Sequence, residues 1–255
     1  MPSLTVRTLI GAVGRRAKKL LPHSIVRWIQ QIRGQPYQIP KGSVRFGDLR
    51  RLSPISDDFG SDRGTPVDRY YIETFLAQSA KDVRGRVLEA DSNLYTRRFG
   101  GGRVDRSDVL SVEANSHATI VGDLVEVGTL PQDAFDCIIL TQVLQLIFDV
   151  RAAVTTSYHA LKPGGVLLVT VPGVTKMGVE RWPWYWSFTK KALQRLLADQ
   201  FGDDAVSVEA QGNIFAATAF LYGIALEELS LSDLNAVDPG YPVIVAARAI
   251  KRKDA

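Results

Sequence analysis

Two apolar runs dominate the middle of the chain. Residues 135–140 (Phe-Asp-Cys-Ile-Ile-Leu) and 166–171 (Val-Leu-Leu-Val-Thr-Val) are apolar at nearly every position rather than at every second one. That is the pattern of strands covered by helices on both faces of a parallel sheet. Between them Val143, Leu146, Ile147, Val150 and Val154 recur three or four residues apart, which places them on one face of a helix. Lys162-Pro163-Gly164-Gly165 then ends the helical pattern, because proline cannot continue a helix and glycine accepts the left-handed turn that leads out of one. Strand, helix, turn and strand make a βαβ unit, from which parallel sheets are assembled.

The same reading extends in both directions and gives an α/β fold. Strands are expected at 85–91, 109–113 and 119–123 before this unit, and at 206–210 and 243–247 after it. A helix over 67–80 carries Val67, Tyr70, Tyr71, Phe75 and Leu76 on its apolar side. Thr65 is placed to cap it, with Pro66 at its first position. Further helical segments are expected near 190–200 and, as one long stretch, over 213–229. Residues 34–66 are rich in Gly, Pro, Ser and Asp and read as a connecting segment.

Composition adds a division of charge. Of 31 Lys and Arg, 11 lie in residues 1–52, together with only one of the 27 acids, Asp48. The remainder therefore holds 20 basic and 26 acidic residues, and the net charge of +4 belongs to the N-terminal stretch. We read residues 1–52 as a basic helical extension and linker, and 53–255 as the main domain. Within 4–33 aliphatic residues and Trp28 alternate with seven Arg and Lys. This pattern fits contact with an anionic membrane surface, and equally an extension packed on its own domain or on a partner copy. No run approaches the roughly 20 apolar residues of a membrane span. No apolar core precedes a small-residue cleavage site, so a secretory signal is not expected. A basic, acid-poor start also fits an organelle presequence; a cytoplasmic location, with peripheral contact at the inner membrane face, is the expectation. Cys137 is the only cysteine and lies in an apolar run, and His23, His117 and His159 have no close metal-ligand spacing, so no metal centre is expected.

Chemistry is expected beyond the carboxyl ends of the strands, where open α/β sheets bind their ligands. The strand ends present Glu89, Asp91, Glu113, Asp123, Thr141 and Gln142. Several carboxylates in that position suit a ligand carrying hydroxyls and an amine, and they repel phosphates. There is no P-loop and no clean G-x-G-x-x-G, which argues against a nucleoside triphosphate or a dinucleotide.

Val87-Leu88-Glu89, the acid after the second strand, Gly122-Asp123, and Phe135-Asp136-Cys137-Ile138 followed by Leu161-Lys162-Pro163-Gly164-Gly165 resemble the class I S-adenosylmethionine-dependent methyltransferases. The resemblance covers about residues 67–175. It implies a Rossmann-like, seven-stranded, mostly parallel sheet flanked by helices, with S-adenosylmethionine along the strand ends. By that resemblance Glu89 organises the first loop around the methionine moiety, Glu113 accepts hydrogen bonds from the ribose hydroxyls, and Asp123 holds the adenine amino group. Thr141 and Gln142 line the methyl-donor side. The chain departs from the family where the glycine-rich loop after the first strand is replaced by Asp91-Ser92-Asn93-Leu94-Tyr95. Asp91 or Asn93 would then take the cofactor's amino group, or Tyr95 would block the pocket. Only five residues separate Glu113 from Thr119, too few for the usual helix.

Asp62 to Tyr71 and Tyr95 to Gly100 are similar to a bacterial methyltransferase-like group found with glycosyltransferases and cell-surface glycan synthesis. That similarity implies methyl transfer to an oxygen of a saccharide, in a small glycan or glycolipid. Tyr70, Tyr71, Trp182, Trp184 and Tyr185 are the candidate acceptor contacts, since aromatic faces pack on sugar C–H surfaces; caps to the core are the other reading of the same aromatics. Asp91 and His159 are conceivable bases, and no catalytic residue is assigned. The alternative function is a non-catalytic binding module acting with a glycan-synthesis partner. A nucleic-acid acceptor is not expected, because the domain beyond residue 52 is net acidic.

Overall fold

Seven strands form one sheet in the order β3-β2-β1-β4-β5-β7-β6, in a computed structural model that describes Ile25, Trp28, Ile39, residues 41–178 and residues 183–253. The strands are β1 (Gly85–Ala90), β2 (Val104–Ser111), β3 (Ile120–Val121), β4 (Phe135–Thr141), β5 (Leu161–Pro172), β6 (Val206–Gln211) and β7 (Ile244–Ile250). All pairs are parallel except those made by β7, which runs antiparallel between β5 and β6. The helices are α1 (Val67–Gln78), α2 (Val150–Ala160), α3 (Lys190–Phe201), α4 (Ile214–Tyr222) and α5 (Leu231–Asn235). Residues 1–51 and 52–255 form separate compact units. The helical expectation for 4–33 lies outside the described residues apart from Ile25 and Trp28, which are helical and exposed.

The unbroken apolar runs fill two cores because side chains alternate across a strand. Leu88, Ile138, Leu140, Leu167 and Val169 pack with α2 and α3 on one face. Val87, Cys137, Ile139, Val166 and Leu168 pack with α1 and α4 on the other. Sheet order reverses between β1 and β4: the chain runs outward to β2 and β3 on one side and to β5 on the other.

Several expected elements are corrected. The second strand begins at Val104 and ends at Ser111, and the third is two residues long. The apolar stripe from Val143 to Val154 does not form one helix; a 3-10 turn at Leu144–Leu146 precedes α2, whose start is fixed by the Asp149 side chain accepting from the Ala152 N–H. Lys162 to Gly165 form a bulge inside β5, since Phe135 pairs with Leu161 and Cys137 already with Val166. A side chain at Gly165 would come within 2.8 Å of the Lys162 carbonyl and 2.9 Å of the Phe135 carbonyl. Thr65 does not cap α1; its N–H and hydroxyl go to Glu227. The expected long helix over 213–229 ends at Tyr222, where Gly223 takes φ +66° against the Ser56 backbone, and a 3-10 turn follows at Leu226–Glu228.

Candidate functional site

At the carboxyl end of β1, Glu89 is buried and spends both oxygens on the following loop. It accepts from the Tyr95 N–H at 3.1 Å, the Thr96 N–H at 2.7 Å and the Thr96 hydroxyl at 2.8 Å. Burial pushes its pKa up against the pull of those donors. The loop begins at Asp91, which holds φ +66° while its N–H donates to the Leu110 carbonyl at 2.8 Å. An aspartate thus adopts the left-handed conformation that a glycine would take there, at a cost its neighbours must offset. Tyr95 turns into the core, stacks on Phe99 at 6.0 Å and accepts from Arg69 Nη1 at 3.1 Å. Asn93 is half-buried in the same loop.

The other strand-end residues form a row along neighbouring strands. Glu113 is exposed two residues beyond β2, and Asp123 lies two residues beyond β3. Asp123 Oδ1 also accepts from the Val125 N–H at 3.1 Å. Across the switch point, Thr141 ends β4 opposite Thr170, and Gln142 holds φ +56° as its N–H donates to the Thr170 carbonyl at 2.8 Å. Left-handed non-glycine backbone therefore occurs at the ends of both β1 and β4, the two strands that flank the reversal. Carboxylates on one side and amide and hydroxyl groups on the other suit a ligand with hydroxyl and amino groups.

Beside this row lies a cleft of about 300 Å³ whose wall includes Asp68, Arg69, Gln142, Gln145, Trp184 and Phe220. Gln145, which the sequence pattern hides inside an apolar run, organises one wall. Its Nε2 donates to the Gln142 carbonyl at 2.8 Å, and its own carbonyl accepts from the Tyr185 N–H at 2.8 Å and the Trp186 N–H at 3.3 Å. Phe59 stacks on Phe220 at 5.7 Å and also lines the cleft. Asp68, from the first turn of α1, is buried, and that burial raises its carboxyl pKa more than Arg69 lowers it. Arg69 stays charged: burial opposes the charge, and Asp68, Tyr95 and Glu73 outweigh it.

The expected acceptor contacts separate. Trp184 lines the cleft, while Tyr185 lies outside its lining, half exposed and edge-on to Phe148 at 5.4 Å. Trp182 lies outside the described residues. Tyr70 and Tyr71 do not line the cleft; their hydroxyls donate to Asn235 Oδ1 at 2.7 Å and to the Leu234 carbonyl at 3.0 Å, fastening α1 to α5. His159, a conceivable base, sits in the last turn of α2, at the amino end of the sheet and away from this cleft.

Residues 58–203, more than half of the chain, match the family described as methyltransferase domain. No curated protein sequence matches. Among solved structures, the chain is similar to an S-adenosylmethionine-dependent methyltransferase from Mesorhizobium loti, at 14% identity over 72% of this chain and 98% of that one, with a TM-score of 0.46. It is similar to a second such enzyme from Archaeoglobus fulgidus, at 13% identity over 72% and 94%, with a TM-score of 0.49. The N-methyltransferase NodS from Bradyrhizobium japonicum, solved with S-adenosyl-L-homocysteine, is 14% identical over 77% and 93%, with a TM-score of 0.45. With the sheet order observed and the family model matched across β1–β5, the chain belongs to the methyltransferase-domain family and has the Rossmann-like fold whose cofactor is S-adenosylmethionine.

Proposed function

We propose that this protein transfers a methyl group from S-adenosylmethionine to an oxygen of a saccharide, in a small glycan or glycolipid. The observation that carries this reading is the cleft itself: it meets the β4 end at Gln142 and combines aromatic faces from Phe59, Trp184 and Phe220 with buried polar groups. Such a surface accepts a ring that is apolar on its faces and hydroxylated at its edge. The cofactor supplies a methyl group already activated by a positively charged sulfur. Glu89 holds the first loop, Asp91 and Asn93 take the amino group of its methionine moiety, Glu113 the ribose hydroxyls and Asp123 the adenine amino group. Thr141 and Gln142 border the methyl group. The methyl–sulfur bond breaks as the methyl–oxygen bond forms, leaving S-adenosylhomocysteine, and the hydroxyl proton passes to a base or to water; proximity and alignment are then most of what the protein must provide.

Isothermal titration of the folded protein with S-adenosylhomocysteine tests the cofactor half. Binding in the micromolar range is expected, weakened about tenfold by Glu113→Ala, the loss of a two-hydrogen-bond carboxylate. Transfer of tritiated methyl groups to alkyl glycosides tests the acceptor half. The basic stretch 4–33 brings the domain to an anionic membrane from the cytoplasmic side; Ile25 and Trp28, three residues apart and exposed, supply apolar anchors. Co-sedimentation with phosphatidylglycerol vesicles and none with phosphatidylcholine vesicles is the expected result.

A further inference from the structure

Three residues of the cleft wall carry a buried polar atom that has no hydrogen-bond partner among the described residues: Asp68 Oδ1, Gln145 Oε1 and Trp184 Nε1. Asp68 and Gln145 are themselves at least nine-tenths buried. Buried polar groups in folded proteins are nearly always paired, and each exception costs stability. Three of the six such atoms among the described residues line this one cleft, the others being Ser107 Oγ, Thr170 Oγ1 and Gln211 Oε1; within the wall, Gln145 Nε2 is paired with Gln142 and Arg69 with Tyr95. The unmet set has a definite sense. Two atoms accept a hydrogen bond and one, the indole N–H, donates.

We propose that Asp68, Gln145 and Trp184 form a recognition site for an uncharged polyol ring, which gives hydrogen bonds from two hydroxyls to Asp68 and Gln145 and receives one from Trp184. The site specifies the acceptor class within the saccharide reading given above and rests on it. Hydroxyls fit because each both gives and receives a hydrogen bond, so a polyol offers partners to acceptors and donor alike. A phosphate or carboxylate at this position is repelled by Asp68 and has no proton for Gln145. An ammonium is disfavoured by the positive charge of Arg69, a residue of the same wall. The three atoms are closed to solvent in this state, so binding of the ring requires side chains of the wall to turn. Phe59 and Phe220, stacked on one another, offer apolar surface to its C–H face.

The test uses the full-length protein and saturation-transfer NMR with the methyl glycosides of glucose, galactose and mannose. Glucose 6-phosphate, methyl glucuronide and methyl glucosaminide serve as charged counterparts. At least one neutral glycoside is expected to bind, and more tightly than every charged one. Asp68→Ala is expected to weaken it about tenfold and Trp184→Phe, which keeps an aromatic face and deletes the N–H, about threefold, the range for one charge-assisted and one neutral hydrogen bond. Trp184→Phe keeps the test decisive should Asp68→Ala fold poorly. The proposal is overturned if no neutral glycoside binds, if a charged sugar binds as well, or if both variants bind like the parent protein. S-adenosylhomocysteine titration of the parent protein separates the two readings: no neutral glycoside bound while the cofactor product binds removes this site, and no binding of the cofactor product removes the enzyme reading.

Discussion

At the amino ends of the strands the charged side chains are matched, whereas beside the carboxyl ends three buried polar atoms are not. Asp136 accepts from Lys162 Nζ at 2.6 Å and from the Arg86 N–H at 2.8 Å; Lys251 reaches Asp133 at 2.7 Å and the Leu161 carbonyl at 2.9 Å. Arg248 grips Asp82 with two bonds of 2.7 and 2.8 Å. Across the sheet, Asp68, Gln145 and Trp184 keep unpaired buried atoms, and Asp91 and Gln142 hold left-handed backbone. Pairing closes one edge and stabilises the sheet. The unmet groups of the other edge cost stability that a bound molecule returns, which is how binding sites usually differ from the scaffold beneath them.

Glu89 is the instructive exception, a carboxyl-end acid that is fully paired. Its replacement should give the largest effect. Glu89→Ala strands two buried N–H groups and a hydroxyl, and is expected to destabilise the domain by about 3 kcal/mol in urea unfolding. The Thr96 amide should lose its protection from hydrogen exchange. Unchanged protection at Thr96 would show that the loop is held by something other than this carboxylate. At the opposite edge, Lys251→Ala removes two bonds from a nearly buried ammonium, with Asp133 free to rehydrate. A loss of about 2 kcal/mol is expected, with S-adenosylhomocysteine affinity unaltered. A weakened affinity would mean that the two edges are coupled.

The strands were legible because apolar runs buried on both faces have few other readings. The start of β2 was hidden by Asp105, Arg106 and Asp108, polar residues that sequence pattern assigns to a loop. Asp108 is buried only because Arg86 and Arg106 neutralise it from a neighbouring strand and from two residues away. The carboxylates at strand ends could be found, since the end of each apolar run marks its position. The cleft could not, because its wall is drawn from separate stretches between Asp58 and Ile244. Tyr70 and Tyr71 show the same limit: their partners on α5 lie more than 160 residues away in sequence. Loop 91–95 departs from the family's glycine-rich pattern in sequence, yet Asp91 takes the glycine-like φ of +66°.

Acid titration sharpens the contrast with a smaller effect. Burial works to raise the Asp108 and Asp136 carboxyls, but hydrogen bonds from Arg86 and Arg106, and from Lys162 and the Arg86 N–H, outweigh it and hold both below the usual range. A depressed folded pKa contributes stability above the unfolded value, about 3.9, and loses it as pH falls through the folded one. Urea midpoints should therefore drop steeply below about pH 4. Asp136→Asn should flatten part of that slope, modestly, since this aspartate is partly exposed and screened. A variant as acid-sensitive as the parent would remove Asp136 from the account.

Asp68 should behave with the opposite sign, and its effect is the smallest expected. Burial raises its folded pKa above the unfolded 3.8, further than Arg69 and the backbone pull it down. As pH rises, the unfolded chain gives up this proton first, so folding stability falls through the window between the two values and stays lower above it. Asparagine has no proton to lose. Asp68→Asn should match the parent protein below about pH 3.8, gain over it through that window, and hold a constant advantage at neutral pH. Chemical denaturation across pH 3 to 8 measures that difference directly. A variant less stable than the parent at neutral pH would mean that Asp68 is already paired in the free protein, and the carboxyl edge would then be as closed as the amino edge.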